Sequence, residues 1–137
     1  MSENLYQQAL KALALAAHGA GALDPAEAQA LRDNPLCGDR VRVSLRLGDG
    51  RILTLGQETK GCLLCRASAS LLGLRAPGHT RAEIAAAAEA LRRLLQEDGE
   101  TPEAWPEFSL FLPARSYPSR HGCVLLPLET LLAALPG

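Results

Sequence analysis

Four cysteines are the residues of this chain with the type and setting to do chemistry, and three of them sit beside turn-forming residues. Cys37 lies in Asn-Pro-Leu-Cys-Gly-Asp, residues 34–39, and Cys62 follows Gly61 at the head of an alanine- and leucine-rich stretch. Cys123 closes Ser-Arg-His-Gly-Cys, residues 119–123. A thiol that opens a helix faces unpaired backbone N–H groups and the positive end of the helix dipole, and both favour thiolate. Cys62 is placed that way, and Cys65 follows nearly one turn later on a similar face. Cys37-Gly38-Asp39 sets a thiol and a carboxylate close together, with a glycine that lets the backbone curl around an ion. Thiolates bind zinc or iron, and a neighbouring carboxylate adds a further ligand. Cys37, Cys62 and Cys123 with Asp39 give three sulfurs and one oxygen, enough for a tetrahedral site. The carboxylate makes such a site more labile than a fourth thiolate would, which suits a site that exchanges its occupant.

The rest of the composition narrows the setting. At 137 residues and 47% hydrophobic content, the chain is sized for one domain, residues 1–137, with a real core. Aromatic residues are only 4%, so leucine and alanine do most of the packing. A net charge of −1, with acids and bases interspersed, recommends neither nucleic acid nor an anionic membrane as partner. No basic segment followed by an apolar one marks the N-terminus, and residues 9–17 are too short for a span and carry Lys11. The expected location is cytoplasmic. A disulfide framework is disfavoured there, and metal or thiol chemistry gains weight. One buried cysteine would read as a small core residue, but three beside Gly, Pro and Asp turns read as a site.

The elements that must position these thiols follow from pattern. Residues 3–17, with Leu5, Leu10, Leu13 and Leu15 among alanines, predict a first helix ended by His18-Gly19. Asp24-Pro25 reads as an N-cap and first helical position, starting a short helix to about Leu31. Val41, Val43, Leu45 and Leu47 alternate with Arg42, Ser44 and Arg46, a strand with the apolar set inward and the polar set outward. Gly48-Asp49-Gly50 turns it into a return strand over residues 51–57. Gly61 ends the sheet region and delivers the chain to a helix from Cys62 to about Leu74. Thr80 caps a long helix, with Glu83 completing a capping box and Ile84, Ala87, Ala88, Leu91, Leu94 and Leu95 as its apolar face. A proline-rich loop, a short turn over residues 108–112 and a last helix over residues 123–135 complete the chain. Trp105 and Phe108 are expected to anchor that loop to the core, and His18 and His79 to lie solvated in turns.

Three motifs in order carry a resemblance. They are Asn34-Pro-Leu-Cys-Gly-Asp39, Gly61-Cys62 with Ala67-Ser-Ala-Ser70, and Tyr117-Pro-Ser-Arg-His-Gly-Cys123 with Leu125-Leu-Pro127. Together they resemble the IscU and NifU iron–sulfur scaffold family, and the strand hairpin between the first two motifs matches as well. The long interval between Cys62 and Cys123, and the Pro-x-Arg-x-x-Cys pattern at Pro118, Arg120 and Cys123, look more like the SufU branch. The resemblance implies an α+β fold: a small antiparallel sheet of three strands covered by helices, with the metal site at one exposed end. It implies Cys37, Asp39, Cys62 and Cys123 as ligands of zinc or of a 2Fe–2S cluster. It also implies a cysteine desulfurase as sulfur donor, iron–sulfur apo-proteins as recipients, and Cys123 as the thiol that accepts persulfide sulfur. The histidine that directly precedes the last cysteine in IscU is Gly122 here, and the family's aspartate–histidine–tyrosine segment is replaced by Leu5-Tyr6 and alanine–leucine repeats.

The remaining chemistry-bearing residues are read as supporting. Cys65 packs beneath the site as a neutral thiol, although a four-sulfur site in which it displaces Asp39 stays open. His121 is read as a neighbour of the site rather than a ligand, and Arg120 as a surface residue. Ser68 and Ser70 have no His/Asp partner that would make a hydrolase triad. The expected function is a cluster-assembly scaffold or sulfur acceptor, a scaffold or zinc-dependent sulfurtransferase rather than a conventional enzyme. The alternative is a structural-zinc binding module of the same fold. Cys123, next to Arg120, His121 and a glycine, is expected to have a lowered thiol pKa.

Overall fold

The computed structural model describes residues 3–137. Its elements run α1 (Glu3–Ala16), β1 (Ala28–Asn34), β2 (Asp39–Gly48), β3 (Arg51–Lys60), α2 (Leu63–Arg75), α3 (Arg81–Gln96) and α4 (His121–Ala134). A 3-10 segment over Pro106–Ser116 and a short 3-10 turn over Pro118–Arg120 join the last two helices. The three strands form one antiparallel sheet in the order β1-β2-β3, with helices packed on it, an α+β architecture.

The alternation in β2 sets the sheet's buried face: Val41, Val43 and Leu45 are fully buried, while Arg40 and Arg42 are exposed. Ile52 and Leu55 of β3 join that core, and Leu71, Leu72, Leu91, Leu94 and Leu131 cover it from the helices. Ser44 departs from the expected outward position and is buried, because the segment after α1 crosses the other face of the sheet. Its hydroxyl accepts from the Leu23 N–H at 3.0 Å. The same segment pairs with β3 through Gly21 N–H to Gln57 O at 2.9 Å and Gln57 N–H to Gly19 O at 2.8 Å.

The expected helix over residues 24–31 is a strand instead. Asp24–Pro25 is a cis peptide in a turn, and Ala28 to Asn34 pair in register with Leu45 to Asp39. The alanines of β1 are too small to declare a strand, and only the partner β2 supplies its hydrogen bonds. The return strand also extends beyond Gln57 to Lys60, because Glu58, Thr59 and Lys60 continue the ladder against Arg42, Val41 and Arg40.

The helices follow their sequence signals more closely. Thr80 and Glu83 make the reciprocal capping box of α3, with Glu83 N–H to Thr80 Oγ1 at 3.2 Å and Thr80 N–H to Glu83 Oε1 at 2.8 Å. Trp105 and Phe108 are buried and stacked at 5.3 Å, and they pin the loop as expected. His79 differs from its expected solvated state: its ring stacks on Trp105 with centroids 5.6 Å apart.

Arg75, in the last turn of α2, holds the 3-10 segment through a forked pair with Glu107, including Nε to Oε1 at 3.0 Å. That hydrogen bond keeps the Glu107 carboxyl below its ordinary value. A group whose folded pKa is depressed adds stability above its unfolded pKa, and that stability is lost as pH falls through the folded value. The side chains are 39% and 21% exposed, so solvent screening limits the pair to about 0.5–1 kcal/mol. Glu107→Gln is therefore expected to lower urea-unfolding stability at pH 7 by about that amount. Titrated downward, the gap between variant and wild type should close below pH 4.5, the ordinary value of the free carboxyl. A gap that stays constant down to the acid transition would show that the pair does not act through charge.

Candidate metal centre

Three separate stretches of chain end at the same place. The first is the turn between β1 and β2. Asn34 caps it: its carbonyl accepts from Cys37 N–H at 3.2 Å and Gly38 N–H at 2.8 Å, and its side-chain Oδ1 accepts from Leu36 N–H at 3.2 Å. Gly38 sits at φ +71°, a left-handed conformation in which a side chain would be strained. The turn lifts Leu36 into solvent, holds Cys37 exposed, and turns Asp39 inward as the first residue of β2.

The second stretch is the start of α2. Cys62 is its N-cap, extended at φ −70° and ψ 172°, and no side chain caps the helix. Its own N–H donates to Asp39 Oδ1 at 3.1 Å, so the carboxylate lies against the positive end of α2. A methyl group at Gly61 would overlap Asp39 Oδ1, which explains glycine there better than strand-breaking does.

The third is the start of α4. His121 is buried, and its Nε2 lies 3.0 Å from Ala114 O and 3.1 Å from Arg115 O, a clasp onto the 3-10 segment. That ring nitrogen is occupied by backbone carbonyls, in keeping with the reading of His121 as a neighbour rather than a ligand. Ser68, midway along α2, donates to Val124 O at 2.7 Å and ties α2 to the first turn of α4. Pro127 has no N–H to offer the Cys123 carbonyl, so the first turn of α4 depends on these side-chain ties.

These stretches bring Cys37, Asp39 and Cys123 together: a ligand atom of each lies within 4.8 Å of the other two. The Cys123 thiol donates to Cys37 Sγ across 3.0 Å. Cys62 stands beside this group rather than inside it, and its thiol is one of the neighbours that raise the Cys123 thiol. Asp39 is 1% exposed, and its Oδ2 has no hydrogen-bond partner among the described residues. A buried carboxylate oxygen facing two thiols, with nothing donating to it, fits a cation between them.

Cys65 is fully buried beneath the group. Burial pushes its thiol well up, helped by the nearby Asp39 and the other cysteines, and this matches a neutral packing residue. Cys123 corrects an expectation. It is 2% exposed, and burial, followed by its hydrogen bond to Cys37 and the nearness of Asp39, raises its thiol pKa instead of lowering it. Arg120 and His121 do not offset that, because Arg120 is exposed and the His121 ring faces the 3-10 segment. Two contributors were not legible as such in the sequence. Gly61 makes room for Asp39, and the Asn34 side chain sits where a Cβ on residue 122 would reach within 2.9 Å of its Nδ2. Only the Asn-Pro turn signal pointed toward Asn34.

The profile of the NifU-like N terminal domain family matches residues 6–102, a span that holds Cys37, Asp39, Cys62 and Cys65. The chain belongs to this family. Two relatives bear the name iron-sulfur cluster assembly scaffold protein IscU. The one from Thermotoga maritima is 28% identical over 131 residues, covering 96% of this chain and 92% of its own. The one from Streptococcus pyogenes is 26% identical over 119 residues, covering 86% and 74%. Among solved structures, a NifU-like N-terminal protein from Brucella abortus superposes with a TM-score of 0.90 at 31% identity, covering 96% of this chain and 92% of that one. A protein from Fervidobacterium islandicum, described as a scaffold candidate for the SUF system, shares the fold with a TM-score of 0.87 at 23% identity, covering 99% and 100%.

In this NifU-like domain the position of Asp39 depends on the empty space at Gly61. Gly61→Ala should push the carboxylate off the Cys62 N–H, and any metal ion held by Asp39 and the thiols should then bind about 10–100-fold more weakly, the usual effect of disturbing the groups that orient a ligand. Competition with a chromogenic chelator measures this. Unchanged affinity would mean that Asp39 is not held for a metal.

Proposed function

We propose that this protein is an iron–sulfur cluster assembly scaffold that binds its metal cargo at Cys37, Asp39, Cys62 and Cys123 and takes sulfur from a cysteine desulfurase. The observation that carries the reading is the convergence of two thiols on a buried carboxylate oxygen that has no other partner. The scaffold name of relatives that align along nearly the whole chain supports it. In this reading zinc or a 2Fe–2S cluster occupies the space between these groups, and a bound cation supplies the charge that keeps the buried thiols as thiolates. Cys62 completes the set by a side-chain rotation from its place beside Cys123.

Each residue then has a task. Asp39, held by the Cys62 N–H, gives a fixed anionic oxygen. Cys37, on an exposed turn, is the ligand that moves most easily. Cys123 accepts the sulfur: its thiolate attacks the outer sulfur of the donor persulfide, the donor's S–S bond breaks, and the donor leaves as a thiolate. Cys37 is exposed and in contact with buried Cys123, so a swing of its turn would open Cys123 to the donor. The alternative, a structural-zinc module without assembly activity, has less behind it, since a closed structural site has no need of an exposed ligand on a turn.

The purified protein should bind about one zinc or one cluster per chain. Cys37→Ser and Cys62→Ser should each cost about a hundredfold or more in affinity, while Cys65→Ser changes it little. Loss of metal in Cys65→Ser with retention in Asp39→Ala would favour the four-sulfur site. With a desulfurase and cysteine supplied, mass spectrometry should find the added sulfur on Cys123. Normal loading of Cys123→Ser, with sulfur on Cys37, Cys62 or Cys65, would refute the assignment.

A further inference from the structure

We infer that Cys37 and Cys123 act as a persulfide-cleaving pair: Cys37 attacks the Cys123 persulfide at its inner sulfur, releases inorganic hydrosulfide and leaves a Cys37–Cys123 disulfide. This rests on the reading of Cys123 as sulfur acceptor and adds the step that turns bound sulfane sulfur into sulfide.

The geometry is specific about which sulfur is attacked. The two Sγ atoms are 3.0 Å apart, about 1 Å beyond the length of a disulfide bond. In a Cys123 persulfide, Sγ is the inner sulfur, so the Cys37 thiol abuts the atom whose attack expels the outer one. Attack on the outer sulfur would only pass the sulfane atom to Cys37. Access points the same way. Cys123 is 2% exposed, which shields its inner sulfur from thiols in solution, whereas Cys37 is exposed and already in contact. Cys65 is wholly buried and competes poorly.

The step balances without an outside reductant. The Cys37 thiol gives its proton to water, and its electron pair forms the Sγ–Sγ bond. The bond between Cys123 Sγ and the sulfane sulfur breaks, and that pair leaves with the sulfane sulfur as hydrosulfide. Two thiol-level sulfurs are oxidised to a disulfide, and one sulfane sulfur is reduced to sulfide. Hydrosulfide is a good leaving group because thiol–disulfide exchange is faster when the departing sulfur is the weaker base. A dithiol reductant resets the pair by attacking Cys37, the exposed end of the disulfide.

The test uses metal-free protein loaded with glutathione persulfide, and in parallel with a desulfurase plus cysteine. Hydrosulfide is trapped with a bimane reagent, and the protein is mapped by mass spectrometry after alkylation. Wild type should release one hydrosulfide for each persulfide lost and carry a disulfide mapped to Cys37 and Cys123. Cys37→Ser should keep its Cys123 persulfide and release hydrosulfide at least about tenfold more slowly, while Cys65→Ser behaves as wild type. Circular dichroism of the Cys37→Ser protein establishes that it is folded, and the wild-type disulfide map stands independently of any variant. Release at the wild-type rate from Cys37→Ser, or a disulfide mapped to Cys62, overturns the inference. A long-lived wild-type Cys123 persulfide with no hydrosulfide overturns this step alone. Absence of persulfide from Cys123 of the Cys37→Ser protein with either donor, together with no Cys37–Cys123 disulfide in wild type, overturns the acceptor reading as well.

Discussion

The structure depends on where it puts one carboxylate. Asp39 is taken out of water at the first residue of β2, one oxygen is given the Cys62 N–H, and the other is given nothing. A buried carboxylate oxygen without a donor is destabilising, since its hydration is lost and no hydrogen bond replaces it. The surrounding chain enforces the arrangement. Pairing of Asn34 with Asp39 fixes the backbone, the bare Gly61 leaves the space, and the uncapped start of α2 supplies the charge complement. The thiols of Cys37 and Cys123 then close the remaining side. Folding alone thus assembles a sulfur-lined space around one buried carboxylate.

The helices around this space are held by contacts that bypass the helix ladder. Ser68 reaches from α2 to the Val124 carbonyl, and His121 reaches back to Ala114 and Arg115. Arg75 and Glu107 fasten the 3-10 segment to α2. Pro127 weakens the backbone bonding of the α4 start, so these side chains decide where Cys123 points. The helix side of the site is thus held by several side-chain ties, whereas on the turn side the Cys37 backbone is held by the Asn34 carbonyl and its thiol meets Ser119 O and Cys123 Sγ.

Much of this was legible in the residues, for reasons that differ by element. The hairpin over β2 and β3 announced itself through alternation and a Gly-Asp-Gly turn, and α3 through its capping box and apolar stripe. Cys37, Asp39 and Cys123 were legible because each stands beside turn residues. β1 was not: Ala-Gln-Ala-Leu carries no strand signature, and its identity comes from the neighbour it pairs with. The burial of Ser44 likewise depends on a distant segment lying over it. The pKa of Cys123 was misjudged because helix position suggests a field, whereas the depth of burial and the company of other thiols decide the sign. Local sequence encodes the first and is silent on the second.

Cys37 and Cys123 are 86 residues apart in sequence and in contact in space. Anything that bonds both of them closes a loop through most of the sheet, α2 and α3, and loops of that length are costly to close in an unfolded chain. An occupant of the site is therefore also a cross-link, one that can be inserted and withdrawn. A protein loaded in that way would resist unfolding by the free energy of that bond, and the emptied one would give it back. On the proposed reading, occupancy and mechanical integrity would be a single variable: a partner that senses how readily this fold yields could tell a filled site from an empty one without touching what fills it.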